Sequence, residues 1–162
     1  MSGSGRIIPI TEETREQANV FLREQWYSTE MVIRGEVIDL AGKPGFLWME
    51  DREPLGLVTC EIREDECEIL SLDSLSEGRG IGSALIRRVL ELAREAGCRR
   101  VRLITTNDNL HALGFYQRRG FHLCALYPDA LRETRRLKPA VPEIGENGIP
   151  LRDEIELEYP LK

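Results

Sequence analysis

A glycine-rich turn that leads directly into a predicted helix is the feature that most constrains this fold. Gly78, Gly80 and Gly82 alternate with other residues, and an amphipathic helical pattern follows at once. Glycine lets the backbone adopt positive φ and approach a ligand closely. The first N–H groups of a helix lack partners within the helix and lie at the positive end of its dipole. The turn therefore predicts an anion site whose expected ligand is a phosphate or pyrophosphate.

Two common nucleotide motifs do not fit this turn. A P-loop needs a lysine after its second glycine, and no lysine lies near residues 77–85. A dinucleotide-binding fingerprint needs a third glycine at the position of Ser83. A nucleotide-binding α/β protein is thus disfavoured, and it stays an alternative that predicts binding of ATP or NAD. A plain strand-to-helix turn without a ligand is the other alternative.

Length and composition predict a single domain over residues 1–162. The chain is 41% hydrophobic and 31% charged, which is ordinary for a globular protein. No apolar run reaches the roughly 18 residues that a membrane span needs, and no secretory signal pattern opens the chain. We therefore expect a cytoplasmic protein without a membrane partner. The small residues within positions 1–5 predict a flexible start.

Charge and cysteine spacing disfavour further classes of function. The net charge of −6 disfavours nucleic acid as a partner, because nucleic-acid-binding proteins usually present a basic face. The cysteines form no Cys-x-x-Cys pair, and neither histidine lies at metal-ligand spacing to them. We therefore expect no metal and no disulfide. Free buried thiols are expected at Cys60, Cys67, Cys98 and Cys124.

The periodicity of apolar residues predicts a mixed α/β order of elements. Polar turns between three short strands before the glycine turn predict an antiparallel meander. The stretch 28–41 is ambiguous between a second helix and a loop with a strand. The predicted strands cover 6–10, 46–50, 55–62, 67–75, 100–105, 121–125 and 153–159. A first helix is predicted to begin after Thr11, and three further helices are predicted over 81–96, 109–119 and 128–137.

The last predicted strand alternates apolar residues with glutamates. Ile155, Leu157 and Tyr159 would face the core, and the intervening acids would face solvent. An exposed strand edge is normally either covered or used for pairing. The strand could therefore pair with a second copy, which makes a homodimer one possible assembly.

A second segment makes the glycine turn more specific. Residues 77–82 match the Gln/Arg-x-x-Gly-x-Gly/Ala acetyl-coenzyme A motif of the Gcn5-related N-acetyltransferase (GNAT) superfamily. The family's Asn-x-x-Ala-x-x-x-Tyr-x-x-x-Gly-Phe signature is matched at Asn109, Ala112, Tyr116, Gly120 and Phe121. The chain resembles this family over residues 46–125, with both motifs in the expected order. The resemblance implies the GNAT fold, an antiparallel meander followed by a βαβ unit in a mixed sheet.

The resemblance also implies a cosubstrate, acetyl-coenzyme A, and residues that bind it. The backbone N–H groups of the turn would hold the phosphates, and Leu72 and Asp73 would present backbone groups to the pantetheine arm. Asn109 would contact that arm, cap its helix, or do both. Glu77 departs from the family's Gln or Arg, and we expect it to point outward. The turn residues expected to bind phosphate are Arg79, Gly80, Ile81, Gly82 and Ser83.

Direct acetyl transfer to an amine is the activity that the resemblance implies. Tyr116 matches the family's general acid, which protonates the leaving thiolate and also touches the cosubstrate. Glu68 is similar to the strand glutamate that some members use as the base. Asp73, Glu61 and ordered water are alternatives for that role, whereas His111 is expected to be a surface residue.

The acceptor is an unidentified small-molecule or peptide amine. In the family, the segments that correspond to 28–41 and 127–149 line the acceptor pocket. The acids in the tail would attract a cationic amine, or they would form a solvated face. These acids are Glu143, Glu146, Asp153 and Glu154. A non-catalytic acyl-coenzyme A-binding or sensor domain of the same fold is the alternative function.

Overall fold

A computed structural model describes residues 5–162, which form one large sheet, a separate hairpin and helices on both faces of the sheet. The strands are β1 Arg6–Pro9, β2 Glu30–Ile33, β3 Glu36–Asp39, β4 Gly45–Glu50, β5 Glu53–Arg63, β6 Glu66–Ser74, β7 Arg100–Thr106, β8 His122–Tyr127 and β9 Glu154–Pro160. The helices are α1 Arg15–Trp26, α2 Ile81–Glu95, α3 Leu110–Arg118 and α4 Leu131–Leu137. Short 3₁₀ turns cover Leu40–Gly42 and Glu146–Gly148.

The large sheet has seven strands in the order β1-β4-β5-β6-β7-β9-β8. Every neighbouring pair is antiparallel except β6 and β7, which run parallel. The parallel pair is the one joined through α2, because a parallel connection needs a crossover element. The predicted meander followed by a βαβ unit in a mixed sheet is therefore confirmed.

Two hydrophobic cores lie on opposite faces of this sheet. Phe46 and Val58 pack with α2, whereas their chain neighbours Leu47 and Leu57 pack with α1. Successive side chains of a strand point to opposite faces, so these strands are buried on both sides. The sheet thus holds α2 and α1 in fixed positions on either side of β5.

The candidate site lies where strands β6 and β7 diverge. Strand β6 pairs with β5 as far as Ser74, but its pairing with β7 ends at Ile69. At this point Leu70 is an extra residue in β6, since Thr59 pairs with Ser71 and the next pair involves Ile69. Such a bulge bends its strand and increases the local twist. A gap therefore opens between β6 and β7 beyond Ile69.

The ambiguous stretch 28–41 is a β-hairpin followed by a 3₁₀ turn. Strands β2 and β3 pair with each other and are joined by Arg34 and Gly35, whose φ values are 51° and 75°. Positive φ at both central residues is the mark of a type I′ turn, whose twist suits a two-residue hairpin. Neither alternative that we weighed for this stretch, a helix or a loop with a single strand, describes it fully.

The prediction of an exposed, one-sided last strand is wrong. Strand β9 lies between β7 and β8, so both of its edges are paired within the chain. Its acidic side is also covered, because Arg100 and Arg102 bind the glutamates there. Arg100 Nη1 lies 3.1 Å from Glu156 Oε2 and 2.7 Å from Glu158 Oε1. Strand β9 therefore has no free edge with which to pair across a dimer.

The cysteines are free, and three of the four are buried. Cys60, Cys67 and Cys98 belong to the core beneath α2, whereas Cys124 is exposed on β8. The prediction of free thiols is confirmed, and the prediction of burial fails only at Cys124. Strand β8 is an edge strand, so one side of it lacks a neighbour that would cover this thiol.

The predicted flexible start at residues 1–5 lies outside the described residues except for Gly5. Gly5 lies against the indole of Trp48, where a Cβ atom would come within 2.2 Å of the ring. Among residues 5–162, no helix has the length and apolar character needed to cross a membrane.

Gly56 sets how closely α2 approaches the sheet. A Cβ atom there would lie 2.6 Å from Ile81 Cγ2 and 3.1 Å from Leu85 Cδ1, and both side chains are fully buried. We expect Gly56→Ala to lower the free energy of unfolding by about 1–3 kcal/mol, because overpacking displaces the helix. Urea denaturation followed by circular dichroism measures this change.

Gly42→Ala is the matched control for that substitution. No atom lies within 4 Å of a Cβ built at Gly42, and its φ is not in the left-handed region. We expect a change in unfolding free energy below about 1 kcal/mol. Equal destabilisation by the two substitutions would contradict the role assigned to Gly56.

Candidate active site

The glycine turn presents unpaired backbone donors at the start of α2. Gly78 and Gly80 have φ values of 75° and 77°, which only glycine adopts without strain. The first hydrogen bond of the helix runs from Ala84 N to Gly80 O, at 3.0 Å. The N–H groups of the three preceding residues, Ile81 to Ser83, therefore have no acceptor within the helix. They lie at the positive end of α2, as an anion site requires.

A cavity of about 420 Å³, the glycine-turn cavity, lies in front of these donors. The end of β6, the turn, the start of α2 and one side of α3 enclose it. Arg79 is absent from its lining, and the Arg79 guanidinium instead binds the Glu50 carboxylate. The predicted site residues that line it are Leu72, Asp73, Gly80, Ile81, Gly82, Ser83, Asn109 and Tyr116.

Two arginines that we did not predict also line the glycine-turn cavity. Arg118 and Arg119 lie at the end of α3, across the cavity from the turn. Arg119 donates from Nε to Ser83 Oγ at 2.7 Å, and its guanidinium stacks on the Phe115 ring at 3.6 Å. These contacts hold one cation beside the unpaired N–H groups. In the sequence, the two arginines closely follow Tyr116 at the end of the same helix, and this position is the signal that could have identified them.

Glu77, whose side chain we expect to point outward, lies next to this cavity. It is exposed and belongs to the residues that line the rim. Arg118 and Arg119 lie on the same cavity and balance its charge. The glycine-turn cavity therefore has two arginines in its lining although position 77 carries a glutamate.

A second cavity of about 360 Å³, the hairpin cavity, lies on the other side of the gap between β6 and β7. Strand β2 forms one wall, with Met31, Val32 and Ile33. The diverging ends of β6 and β7 form the opposite walls, and Trp26 of α1 contributes an aromatic ring. The hairpin that the sequence left ambiguous is therefore a wall of this cavity.

The two cavities meet at four shared residues. Leu72, Asn109, Ala112 and Tyr116 line both of them. Asn109 also caps α3, because its side-chain oxygen accepts a hydrogen bond from Ala112 N at 3.0 Å. These four residues therefore lie between the two cavities and contact both.

Tyr116 is the titratable residue at the junction. It is 7% exposed and makes edge-to-face contacts with Phe115 and Phe121. None of the hydrogen bonds among residues 5–162 uses its hydroxyl group. Burial, together with the nearby Asp73 carboxylate, raises the pKa of Tyr116 above its ordinary value. The phenol thus stays protonated at neutral pH and is free to donate a proton.

Asp73 directly follows the junction residue Leu72 and lines the glycine-turn cavity. Its Oδ2 atom accepts a hydrogen bond from Trp26 Nε1 at 2.8 Å. Because Asp73 lines the glycine-turn cavity and Trp26 lines the hairpin cavity, the bond lies between the two. Burial raises the pKa of Asp73, and the hydrogen bond from Trp26 opposes that rise. A carboxylate with a raised pKa is a stronger base than an exposed one.

The other candidate bases lie elsewhere. Glu68 pairs with Arg102, Oε1 to Nη2 at 3.2 Å, and lines neither cavity. Its Cα lies about 13 Å along β6 from that of Leu72, at roughly 3.3 Å per residue. Glu61 binds Lys43 Nζ at 2.7 Å and is equally remote from the junction. His111 is exposed at the rim of the glycine-turn cavity.

Comparison with known proteins agrees with this geometry. The model of the acetyltransferase (GNAT) family matches residues 9–121, which include the glycine turn and α3. The chain belongs to the GNAT acetyltransferase family. The resemblance inferred from the two motifs is thereby confirmed, and the enzyme class is that of the N-acetyltransferases.

Relatives of this GNAT acetyltransferase span nearly its whole length. The uncharacterized protein YdhI of Bacillus subtilis is 44% identical over 150 residues, 92% of this chain and 94% of YdhI. The IAA acetyltransferase from Bacillus cereus has a TM-score of 0.71 at 23% identity, and the match covers 98% and 100% of the two chains. A GNAT acetyltransferase from Elizabethkingia anophelis with acetyl-CoA bound has a TM-score of 0.70 at 21% identity, with 97% and 98% covered. At these identities the two structures establish the fold.

Proposed function

We propose that the protein transfers an acetyl group from acetyl-coenzyme A to a primary amine by direct attack on the thioester. The observation that carries this proposal is the junction of the two cavities at Leu72, Asn109, Ala112 and Tyr116. The glycine-turn cavity suits the anionic cosubstrate, and the hairpin cavity suits the acceptor. The reacting thioester and amine would then meet beside Tyr116.

The glycine-turn cavity offers a partner for each part of coenzyme A. The free N–H groups of residues 81–83 and the guanidinium groups of Arg118 and Arg119 would bind the phosphates. The backbone of β6 beyond Ile69 has no partner in β7, so every second residue there presents unpaired N–H and C=O groups, and Leu72 or Asp73 would bind the amides of the pantetheine arm. Acetyl-coenzyme A bound in this way presents its thioester at the junction.

The chemistry needs a base, a nucleophile and an acid. Asp73 accepts the proton that the acceptor ammonium loses, and the free amine then attacks the carbonyl carbon. A C–N bond forms and the C–S bond breaks. Tyr116 donates its phenolic proton to the departing thiolate sulfur, and the acetylated nitrogen then gives up its remaining excess proton, which restores the Tyr116 phenol. We assign the base to Asp73 rather than Glu68, because Asp73 lines the glycine-turn cavity next to the junction residue Leu72, whereas Glu68 lines neither cavity.

Acetyl-coenzyme A binding is the first test. We expect calorimetry to give a dissociation constant in the micromolar range, about −8 kcal/mol, with weaker binding of ATP and NAD. Arg118→Gln should weaken acetyl-coenzyme A binding by about threefold to tenfold, because it removes a phosphate partner that is partly exposed.

Arg94→Gln is the control for charge alone. Arg94 lies in the last turn of α2, exposed and at the end opposite the glycine turn. Its substitution should leave the affinity unchanged. An equal loss in the two variants, or no binding by the wild type, would contradict the assignment of the cavity.

The Tyr116→Phe variant tests the acid. We expect kcat to fall by about 10²- to 10⁴-fold, since general acid catalysis contributes on that scale, while acetyl-coenzyme A still binds normally. Tyr127→Phe is the control, because the Tyr127 hydroxyl donates to Glu156 at 2.7 Å and lies outside both cavities. Full activity of Tyr116→Phe would remove the phenol from the mechanism.

The pH profile tests the base. Asp73 works only when deprotonated, so kcat/KM should rise with pH through the raised pKa of Asp73 and be lost below it. Asp73→Asn should lower kcat/KM by about 10²-fold or more, whereas Glu68→Gln should leave it near the wild-type value.

The Trp26→Phe variant tests whether Asp73 acts as the base or only supports the fold. The variant removes the hydrogen bond that opposes the rise in the pKa of Asp73. The acidic limb of the profile should therefore move to higher pH. An unmoved limb, or a loss of activity in Glu68→Gln but not in Asp73→Asn, would overturn the assignment to Asp73.

A further inference from the structure

The charge of the hairpin cavity differs from that of the glycine-turn cavity. No lysine, arginine or histidine belongs to its lining among residues 5–162, whereas two arginines line the glycine-turn cavity. The acidic residues of its lining are Asp108, Glu146 and Glu154. A ligand with a carboxylate or phosphate would therefore meet like charge there and find no cation to pair with.

The walls of the hairpin cavity are mainly aliphatic. Met31, Val32, Leu70 and Ile104 face it from three different strands, and Trp26 adds an aromatic surface. Burying the methylene groups of a ligand in such surroundings is favourable. The cavity therefore suits an acceptor with a hydrocarbon body.

Two of the three carboxylates already have partners. Asp108 accepts hydrogen bonds from Thr106 Oγ1 at 2.6 Å and from Glu146 N at 2.8 Å. Glu154 is 3% exposed and pairs with Arg34, at 3.2 Å between Oε1 and Nη1. Neither carboxylate needs a ligand to satisfy it.

The Glu146 carboxylate is the one that remains available. No ion pair within residues 5–162 involves it, although Glu146 lines the cavity. Its backbone is held in place, because its N–H group binds Asp108 and the preceding Gly145 packs on that carboxylate. A Cβ atom at Gly145 would lie 2.1 Å from Asp108 Oδ2, so only glycine fits there. Asp108 thus fixes the turn that presents Glu146 to the cavity.

We propose that the acceptor is an alkyl diamine or polyamine, whose second ammonium group binds Glu146 while the first amine reaches the junction. The proposal rests on the function proposed above and names the class of acceptor for it. The aliphatic walls accommodate the methylene chain, Glu146 selects the second cation, and the absence of a basic lining residue rejects acceptors with a distal carboxylate.

The structure also separates the tail acids that the sequence grouped together. Glu146 and Glu154 line the cavity, whereas Glu143 and Asp153 do not. The Glu143 side chain is 83% exposed and lies 3.7 Å from Arg135. Glu143 is therefore a matched control for Glu146, three residues away in the same tail segment and outside the site.

Three acceptor series of equal chain length provide the test. They are n-alkylamines, α,ω-diamines and ω-amino acids with three to eight carbons, assayed by release of free coenzyme A. At low salt we expect the best diamine to exceed its matched alkylamine in kcat/KM by about fivefold, and the amino acid to fall below both by a similar factor. Raising the ionic strength should reduce both ratios, because salt screens a partly exposed pair.

The Glu146→Gln variant tests whether the Glu146 carboxylate binds the second ammonium group of the acceptor. The ratio of diamine to alkylamine should fall toward one in Glu146→Gln and stay at the wild-type value in Glu143→Gln. A wild-type ratio near one, or an unchanged ratio in Glu146→Gln, would overturn the proposal while leaving acetyl transfer to alkylamines intact.

The affinity of the protein for each amine can be measured independently of acetyl transfer. Each amine is titrated by calorimetry into the protein saturated with coenzyme A. We expect the affinity to be highest for the diamine, lower for the alkylamine and lowest for the amino acid. If no amine is acetylated, the proposed activity fails, and this order still supports or overturns the acceptor class. If amines are acetylated but bind with no preference for diamines, only the acceptor class fails.

Discussion

The parting of β6 and β7 after Ile69 is the constraint on which the rest of the site depends. Two parallel strands that stayed paired along their whole length would close the sheet and leave no space between α3 and α1. Here the bulge at Leu70 turns β6 away from β7 while its pairing with β5 continues to Ser74. The gap exposes unpaired backbone groups of β6 and joins the two cavities.

The elements around this gap divide the charge between its two sides. The start of α2 and the end of α3 bring unpaired N–H groups and two arginines to the glycine-turn cavity. The tail turn and the start of β9 bring carboxylates to the hairpin cavity. This distribution of charge suits the anionic cosubstrate and the cationic acceptor that we propose. The helix dipole and side-chain charges act in the same direction here.

A ladder of ion pairs lets the acidic strand β9 lie inside the sheet. Arg100 contacts glutamates on both β6 and β9, and Glu66 holds Arg100 from the other side at 3.0 Å. The glutamates of β9 repeat with a period of two, which from the sequence predicts a solvated face. The strand order could not be read from that pattern, because the arginines that cover it lie some fifty residues earlier in the chain. The error about β9 therefore came from a long-range contact.

Most elements and the unpaired donors at the start of α2 could be predicted from the sequence. Local periodicity and glycine chemistry predicted α2, α3 and most strands, and the unpaired N–H groups at residues 81–83 follow from the start of any helix. Two short motifs were enough to indicate the family. Only the tertiary structure shows that Asp73 lines the glycine-turn cavity whereas Glu68 lines neither cavity, and that Glu146 lines a cavity while Glu143 does not. Strand divergence, hairpin placement and the path of the tail decide those positions, and each depends on contacts between residues far apart in the chain.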